Sequence, residues 1–139
     1  MDFDGKPYDS ALTGGPAALI LVVDDNADCL AALQLLLSVL GFEVAAARSA
    51  QEALKSVAKR RPDLIITDCE MPRMSGLALC RELRDRDQTA DIPIVLYTGR
   101  DLPDGGPKPY DCSIAKTAGT DAILGIIRAL LRKRAPQPL

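Results

Sequence analysis

Histidine is absent from the 139 residues. Its absence removes the commonest general base, the commonest transition-metal ligand and any phosphohistidine on this chain, so aspartate, lysine and hydroxyl groups must carry whatever chemistry there is. Cys-x-x-Cys spacing is lacking too. Cys29, Cys69, Cys80 and Cys112 are scattered through a chain long enough to build a core without covalent staples, and free thiols are expected. A basic excess is also missing: 17 Lys and Arg against 19 Asp and Glu leave a net charge of -2, so no positive field draws nucleic acid or an anionic bilayer. Ala17 to Val23 and Leu30 to Leu40, the longest apolar runs, are too short or too interrupted to span a membrane. The opening Met-Asp-Phe-Asp-Gly-Lys has no signal-peptide pattern, which sets a cytoplasmic expectation.

What is present is ordinary globular composition, 47% apolar and 26% charged, enough for one domain. The chain is organised around Pro62 to Gly76, where Leu64, Ile65 and Ile66 run into Asp68 and then into a turn set by Pro72 and Gly76. This pattern predicts a buried strand that delivers a carboxylate to its own end. Residues 1–16 show no period that could bury a face and read as a loose tail, as do residues 135–139. Ala18 to Val23 predicts a first buried strand, ending at Asp24-Asp25-Asn26, a helix-capping sequence. Leu30, Leu33, Leu37 and Leu40 form one face of the helix that follows, widened by Leu35 and Leu36 and closed by Gly41. Phe42 to Ala47 is a weaker strand, and Ser49 with Glu52 is a capping-box pattern opening a helix to about Lys59.

After Asp68, Gly76 to Arg86 predicts a helix with Leu79 and Leu83 inward, and Ile92 to Tyr97 a strand ending at Thr98-Gly99. Arg100 to Pro109 holds Pro103, Gly105, Gly106, Pro107 and Pro109, so a loop or single turn stands where a helix would continue the alternation. Asp111 to Ala115 is a short fifth strand ending at Lys116, and Thr120 or Asp121 caps a last helix. Strands separated by helices imply a parallel sheet with every strand-to-helix loop on one edge. Asp24, Asp25, Asp68, Thr98 and Lys116 then converge. Taken singly, each has an ordinary structural role as cap, turn or solvated charge. Together, three carboxylates at one rim call for a hard cation such as Mg²⁺, and the lysine and hydroxyl complement phosphoryl oxygens.

With those residues in view, Leu21-Val22-Val23-Asp24-Asp25, Ile65-Ile66-Thr67-Asp68-Cys69-Glu70-Met71-Pro72 with Gly76, Thr98-Gly99 and Lys116 resemble the receiver domain of two-component response regulators. The resemblance covers roughly Ala18 to Arg134, and the receiver domain is set at residues 17–134. It implies a flavodoxin-like (CheY-like) α/β fold: a five-stranded parallel sheet in the order 2-1-3-4-5, helices on both faces, the fourth helix short or replaced by a loop. It also implies that Asp68 accepts a phosphoryl group from a histidine kinase or histidine phosphotransfer protein. Mg²⁺ would be held by Asp24, Asp25, Asp68 and the backbone carbonyl of Glu70, with Asp24 acting largely through water, while Thr98 and Lys116 bind phosphoryl oxygens. The resemblance makes the chain a signalling module rather than a classical enzyme, monomeric or weakly dimeric, with output through protein contacts.

Three departures concern the output side. Ser113 stands where the family usually has an aromatic residue, the Pro-rich loop replaces the family's fourth helix, and Thr117 replaces the proline that supports a cis peptide after the lysine. A non-proline cis bond costs ~3 kcal/mol, which leaves either that strain or a trans loop that aims Lys116 differently. Glu70 and Arg100 flank the expected phosphoryl position and form a candidate pair. No DNA-binding module follows Arg134, so output by DNA binding within this chain is not expected. The chain reads as a stand-alone receiver or one cut from a hybrid kinase. The rival readings are a non-switching binding scaffold and a Mg²⁺-dependent aspartyl-phosphate phosphohydrolase. Against the latter, Glu70 replaces the second aspartate of the Asp-x-Asp signature.

Overall fold

The computed structural model describes residues 17–99 and 108–134. Its strands are β1 (Leu19–Val23), β2 (Glu43–Ala47), β3 (Leu64–Asp68), β4 (Ile94–Thr98) and β5 (Cys112–Ala115). They form one parallel sheet in the order β2-β1-β3-β4-β5, as expected. β1 and β3 at the centre are apolar along nearly their whole length because both faces are covered, whereas the edge strands β2 and β5 carry mixed sequences.

The helices are α1 (Ala27–Val39), α2 (Ala50–Lys59), α3 (Gly76–Arg84) and α4 (Thr120–Arg134). Successive strand residues point to opposite faces, so Ile20, Val22, Leu64 and Ile66 pack with α1 and α4, while Leu21, Val23 and Ile65 pack with α2 and α3. Two cores thus clamp the sheet from either side. The helix expected to be missing between β4 and β5 falls on residues 100–107, which lie outside the described residues, as do residues 1–16 and 135–139. No described helix is long and apolar enough to cross a membrane.

Several boundaries differ from the sequence expectation for identifiable reasons. β4 begins at Ile94 rather than Ile92: Pro93 has no N–H to give the ladder and contributes only its carbonyl, which accepts from Ile65 at 3.0 Å. β5 begins one residue late because Asp111 is occupied as a clasp, its carboxylate accepting from the Ile94 N–H at 2.7 Å and from Arg84 at 2.8 Å. α3 ends at Arg84, not Arg86, where that side chain also bonds the carbonyls of Ala90 and Ile92. Neither Thr120 nor Asp121 caps α4. The first intrahelical bond runs from Ile123 to the Gly119 carbonyl, so both residues lie inside the first turn.

At α2, Ser49 caps as expected, but the Glu52 carboxylate accepts from the Arg48 N–H rather than from Ser49. Gly41, at φ 99°, closes α1 in the left-handed conformation. Leu30, Leu33 and Leu37 are buried on that helix, but Leu35 does not widen the core: it is 66% exposed, and Val39 63%.

Gly76 matters most for the site. A Cβ there would collide with the backbone of Asp68 and Cys69, because the start of α3 presses directly on the end of β3. The two glycines Gly76 and Gly125 therefore predict opposite outcomes. Gly76→Ala should lower stability in denaturant unfolding by roughly 1–3 kcal/mol, since backbone must shift. Gly125→Ala, on the exposed side of α4 with nothing near the added methyl, should raise it by about 0.5–1 kcal/mol.

Candidate phosphoacceptor and metal site

Register delivers the site. Val23 pairs with Thr67, Asp68 with Tyr97 and Thr98 with Ala115, so Asp24, Asp68, Thr98 and Lys116 emerge side by side at the carboxyl ends of four neighbouring strands. Asp24 is 3% and Asp68 7% exposed, whereas Asp25 faces solvent. Carboxylate oxygens of Asp24, Asp25 and Asp68 lie within 4.8 Å of one another. Among the described residues one cation serves this cluster: Lys116 Nζ is 3.3 Å from Asp24 Oδ2 and 3.2 Å from Asp68 Oδ1. Asp24 is further fixed by its own loop, Oδ1 accepting from the Asn26 N–H at 2.9 Å while Asn26 Oδ1 caps α1.

One ammonium does not balance the site. Burial, and then the Asp24 charge, raise the Asp68 pKa above its ordinary value, although hydrogen bonds from Lys116 and from the Glu70 N–H pull it down. Lys116 also titrates above the usual lysine range: burial alone would lower it, but the Asp24 charge and the bond to Asp68 outweigh that cost. A paired aspartate normally moves down. The upward direction at Asp68 records first its burial and then the neighbouring Asp24 charge, which together outweigh the bond from the shared lysine. An all-oxygen donor set of this kind, open to solvent on the Asp25 side, suits a small hard divalent ion.

The loop after Asp68 is closed by the Gly76 N–H on the Cys69 carbonyl at 2.8 Å, and Ser75 caps α3. Within it Arg73 sits at φ 70°, while Met74 N–H bonds the Pro72 carbonyl at 2.8 Å, a tight turn that a non-glycine residue adopts only under strain. Cys69 is buried with the α2 and α3 core, and all four cysteines are free thiols, as expected. Burial pushes the Cys80 thiol up to about 12.

No cis peptide bond occurs among the described residues, so the Lys116–Thr117 loop is trans. The lysine nevertheless reaches both carboxylates. Its N–H bonds the Thr98 carbonyl at 2.8 Å, and Ala118 N–H closes the turn on Ala115 at 2.9 Å. Thr98 is buried at the end of β4. Ser113 is exposed on the edge strand, and the Glu70–Arg100 pair involves a residue outside the described ones. Tyr97 is the neighbour that sequence reasoning missed. Its ring lies under the Lys116 ammonium, 5.9 Å from centroid to Nζ, and its hydroxyl donates to the Lys116 carbonyl at 3.4 Å.

Residues 20–108 match the family described as the response regulator receiver domain. The chain belongs to that family. It is 37% identical over 124 residues to the response regulator MprA of Mycobacterium sp. (strain KMS), and 38% identical over 124 residues to MprA of Mycobacterium leprae (strain TN). Each alignment covers 84% of this chain and 52% of the relative, so the chain spans about half the length of those curated relatives. Among solved structures, the receiver domain of a signal transduction histidine kinase from Syntrophus aciditrophicus superposes with a TM-score of 0.76 at 30% identity, covering 88% of this chain and 98% of that one. The chemotaxis protein CheY4 of Vibrio cholerae gives 0.75 at 26% identity, covering 82% and 98%.

The crowding at Asp68 predicts a pH-dependent stability. A carboxyl whose folded pKa is raised weakens the fold progressively as pH rises from the unfolded value, near 3.8, through the folded one. In metal-free protein Asp68→Asn should therefore melt a few degrees higher than the parent at neutral pH, with the advantage shrinking as pH falls toward the unfolded value. Thermal melts across that range check the sign. An Asn advantage that is absent at neutral pH would contradict it.

Proposed function

We propose that this chain is a phosphoacceptor module in which Asp68 takes a phosphoryl group from the phosphohistidine of a histidine kinase or histidine phosphotransfer protein. The observation that carries the proposal is the meeting, within 4.8 Å, of Asp24, Asp25 and Asp68, with Lys116 shared between two of them. The receiver unit is residues 17–134. The donor histidine must come from elsewhere, since none lies in these residues.

The Asp68 carboxylate attacks phosphorus, the bond from phosphorus to the donor imidazole nitrogen breaks, and an acyl phosphate forms. Lys116, already beside Asp68, and the Thr98 hydroxyl at the neighbouring strand end take up charge on the transferring oxygens. Mg²⁺ would be held by the Asp24, Asp25 and Asp68 carboxylates, which converge, together with the Glu70 carbonyl, with Asp24 also held by Asn26 and Lys116. When bound, the ion neutralises phosphoryl charge. The strand-end location keeps the reacting carboxylate buried on its stem side and open only toward the rim.

The net charge of -2 supports output through protein partners rather than nucleic acid, and the absence of a spanning helix among the described residues supports a cytoplasmic setting. Output belongs to the interaction partner, and this chain's own chemistry is limited to gaining and losing the phosphoryl group. The protein is then a monomer or weak dimer.

Incubation with acetyl phosphate and Mg²⁺ followed by intact-mass measurement tests the reading. One added phosphoryl group is expected on the parent protein, with none on Asp68→Ala and a large loss of labelling in excess chelator. An unlabelled parent under these conditions would remove the phosphoacceptor assignment.

A further inference from the structure

We propose that Tyr97 is the positioning residue for Lys116, replacing the proline-supported loop that this chain lacks. The inference rests on the phosphoacceptor reading above and concerns how its lysine is held. Lys116 stands on a trans peptide followed by Thr117, at the end of the edge strand β5, where only one neighbouring strand constrains the backbone. The Thr98 carbonyl fixes its N–H, but that bond does not aim a four-carbon side chain.

Tyr97 holds the lysine at both ends. Its hydroxyl donates to the Lys116 carbonyl at 3.4 Å, and its ring lies 5.9 Å below Nζ. The first is a long hydrogen bond and the second is close to the outer reach of a cation over an aromatic face, so each is weak by itself. Acting on one residue, they restrict both backbone and ammonium. The ring is itself packed against the α1 and α4 core, beside Leu33, Ile114, Ile123 and Ile127. It therefore forms a fixed wall rather than a loose contact.

The same ring borders an open groove of about 200 Å³ lined by Cys29, Ala32, Leu33, Leu36, Tyr97 and Lys116. Tyr97 and Lys116 line that groove together, so the ring stands beside the lysine stem where the groove opens next to it, while Asp24 and Asp68 hold the ammonium itself. Register makes the contact possible. Tyr97 pairs with Ile114, two residues before Lys116, and lies on the sheet face opposite Leu96 and its partner Ser113. The aromatic support thus comes from the neighbouring strand and the other face from the position where the family usually carries one.

The test is a cycle of labelling rates with acetyl phosphate and Mg²⁺ across the parent, Tyr97→Leu, Lys116→Met and the double variant. Tyr97→Leu should slow labelling about three- to tenfold, and Tyr97→Phe, which keeps the ring, should recover most of that loss. In the Lys116→Met background Tyr97→Leu should cost less than about twofold, because there is no ammonium left to aim. A purely structural tyrosine would slow both backgrounds equally. That result, or a parent-like rate for Tyr97→Leu, would overturn the inference while leaving the phosphoacceptor reading intact. An unlabelled parent would overturn both. If Tyr97→Leu fails to fold, Tyr97→Met carries the same comparison.

Discussion

One ammonium shared between two buried carboxylates is the interaction on which the site depends. Asp24 and Asp68 lie within 4.8 Å of each other and of Asp25, and at an effective dielectric of about 20 such a pair repels by roughly 3 kcal/mol. Lys116 offsets part of this by standing between Asp24 and Asp68, and among the described residues no ion pair reaches the exposed Asp25. A site built this way is unfavourable when empty and is stabilised by added positive charge. That imbalance is why the cluster suits a divalent ion better than an ordinary ion pair.

The fold holds the charges there. Parallel pairing puts four strand ends on one edge, and buried apolar strands keep the carboxylate stems out of water, while Gly76 lets α3 close on the backbone of Asp68. A clasp at the opposite edge performs the matching task for the later strands, with Arg84 and Asp111 joining the end of α3 to the starts of β4 and β5. The exposed Leu35 and Val39 on α1 stand apart from both arrangements.

Most of this was legible in the residues because the signals were redundant. The apolar run of residues 64–66 entering Asp68, the Asp24-Asp25 pair after another such run, and the alternation of strand and helix periods all point to one topology. The site residues then follow from which strand each one ends. Less legible were features set by side chains serving the backbone. Asp111 reads as a strand residue until Arg84 and the Ile94 N–H claim its carboxylate, and Glu52 reads as bonding Ser49 when it bonds Arg48. Leu35 reads as core because leucines occur all around α1, and periodicity alone cannot say where the apolar face ends. Tyr97 reads as an ordinary strand residue, since its contacts depend on pairing with a strand seventeen positions later in the chain. Arg73 at φ 70° carries no sequence signal at all.

The central claim is that the reactive group is the side-chain carboxylate of Asp68. Reduction of the phosphorylated protein with borohydride tests it directly, because an aspartyl acyl phosphate is reduced to homoserine whereas free carboxylates and phosphate esters of serine or threonine survive. Peptide mass mapping should then find homoserine at position 68 alone, in proportion to the phosphoryl group loaded. Homoserine at position 24 or 25, or a phosphoryl group that resists reduction, would contradict the account.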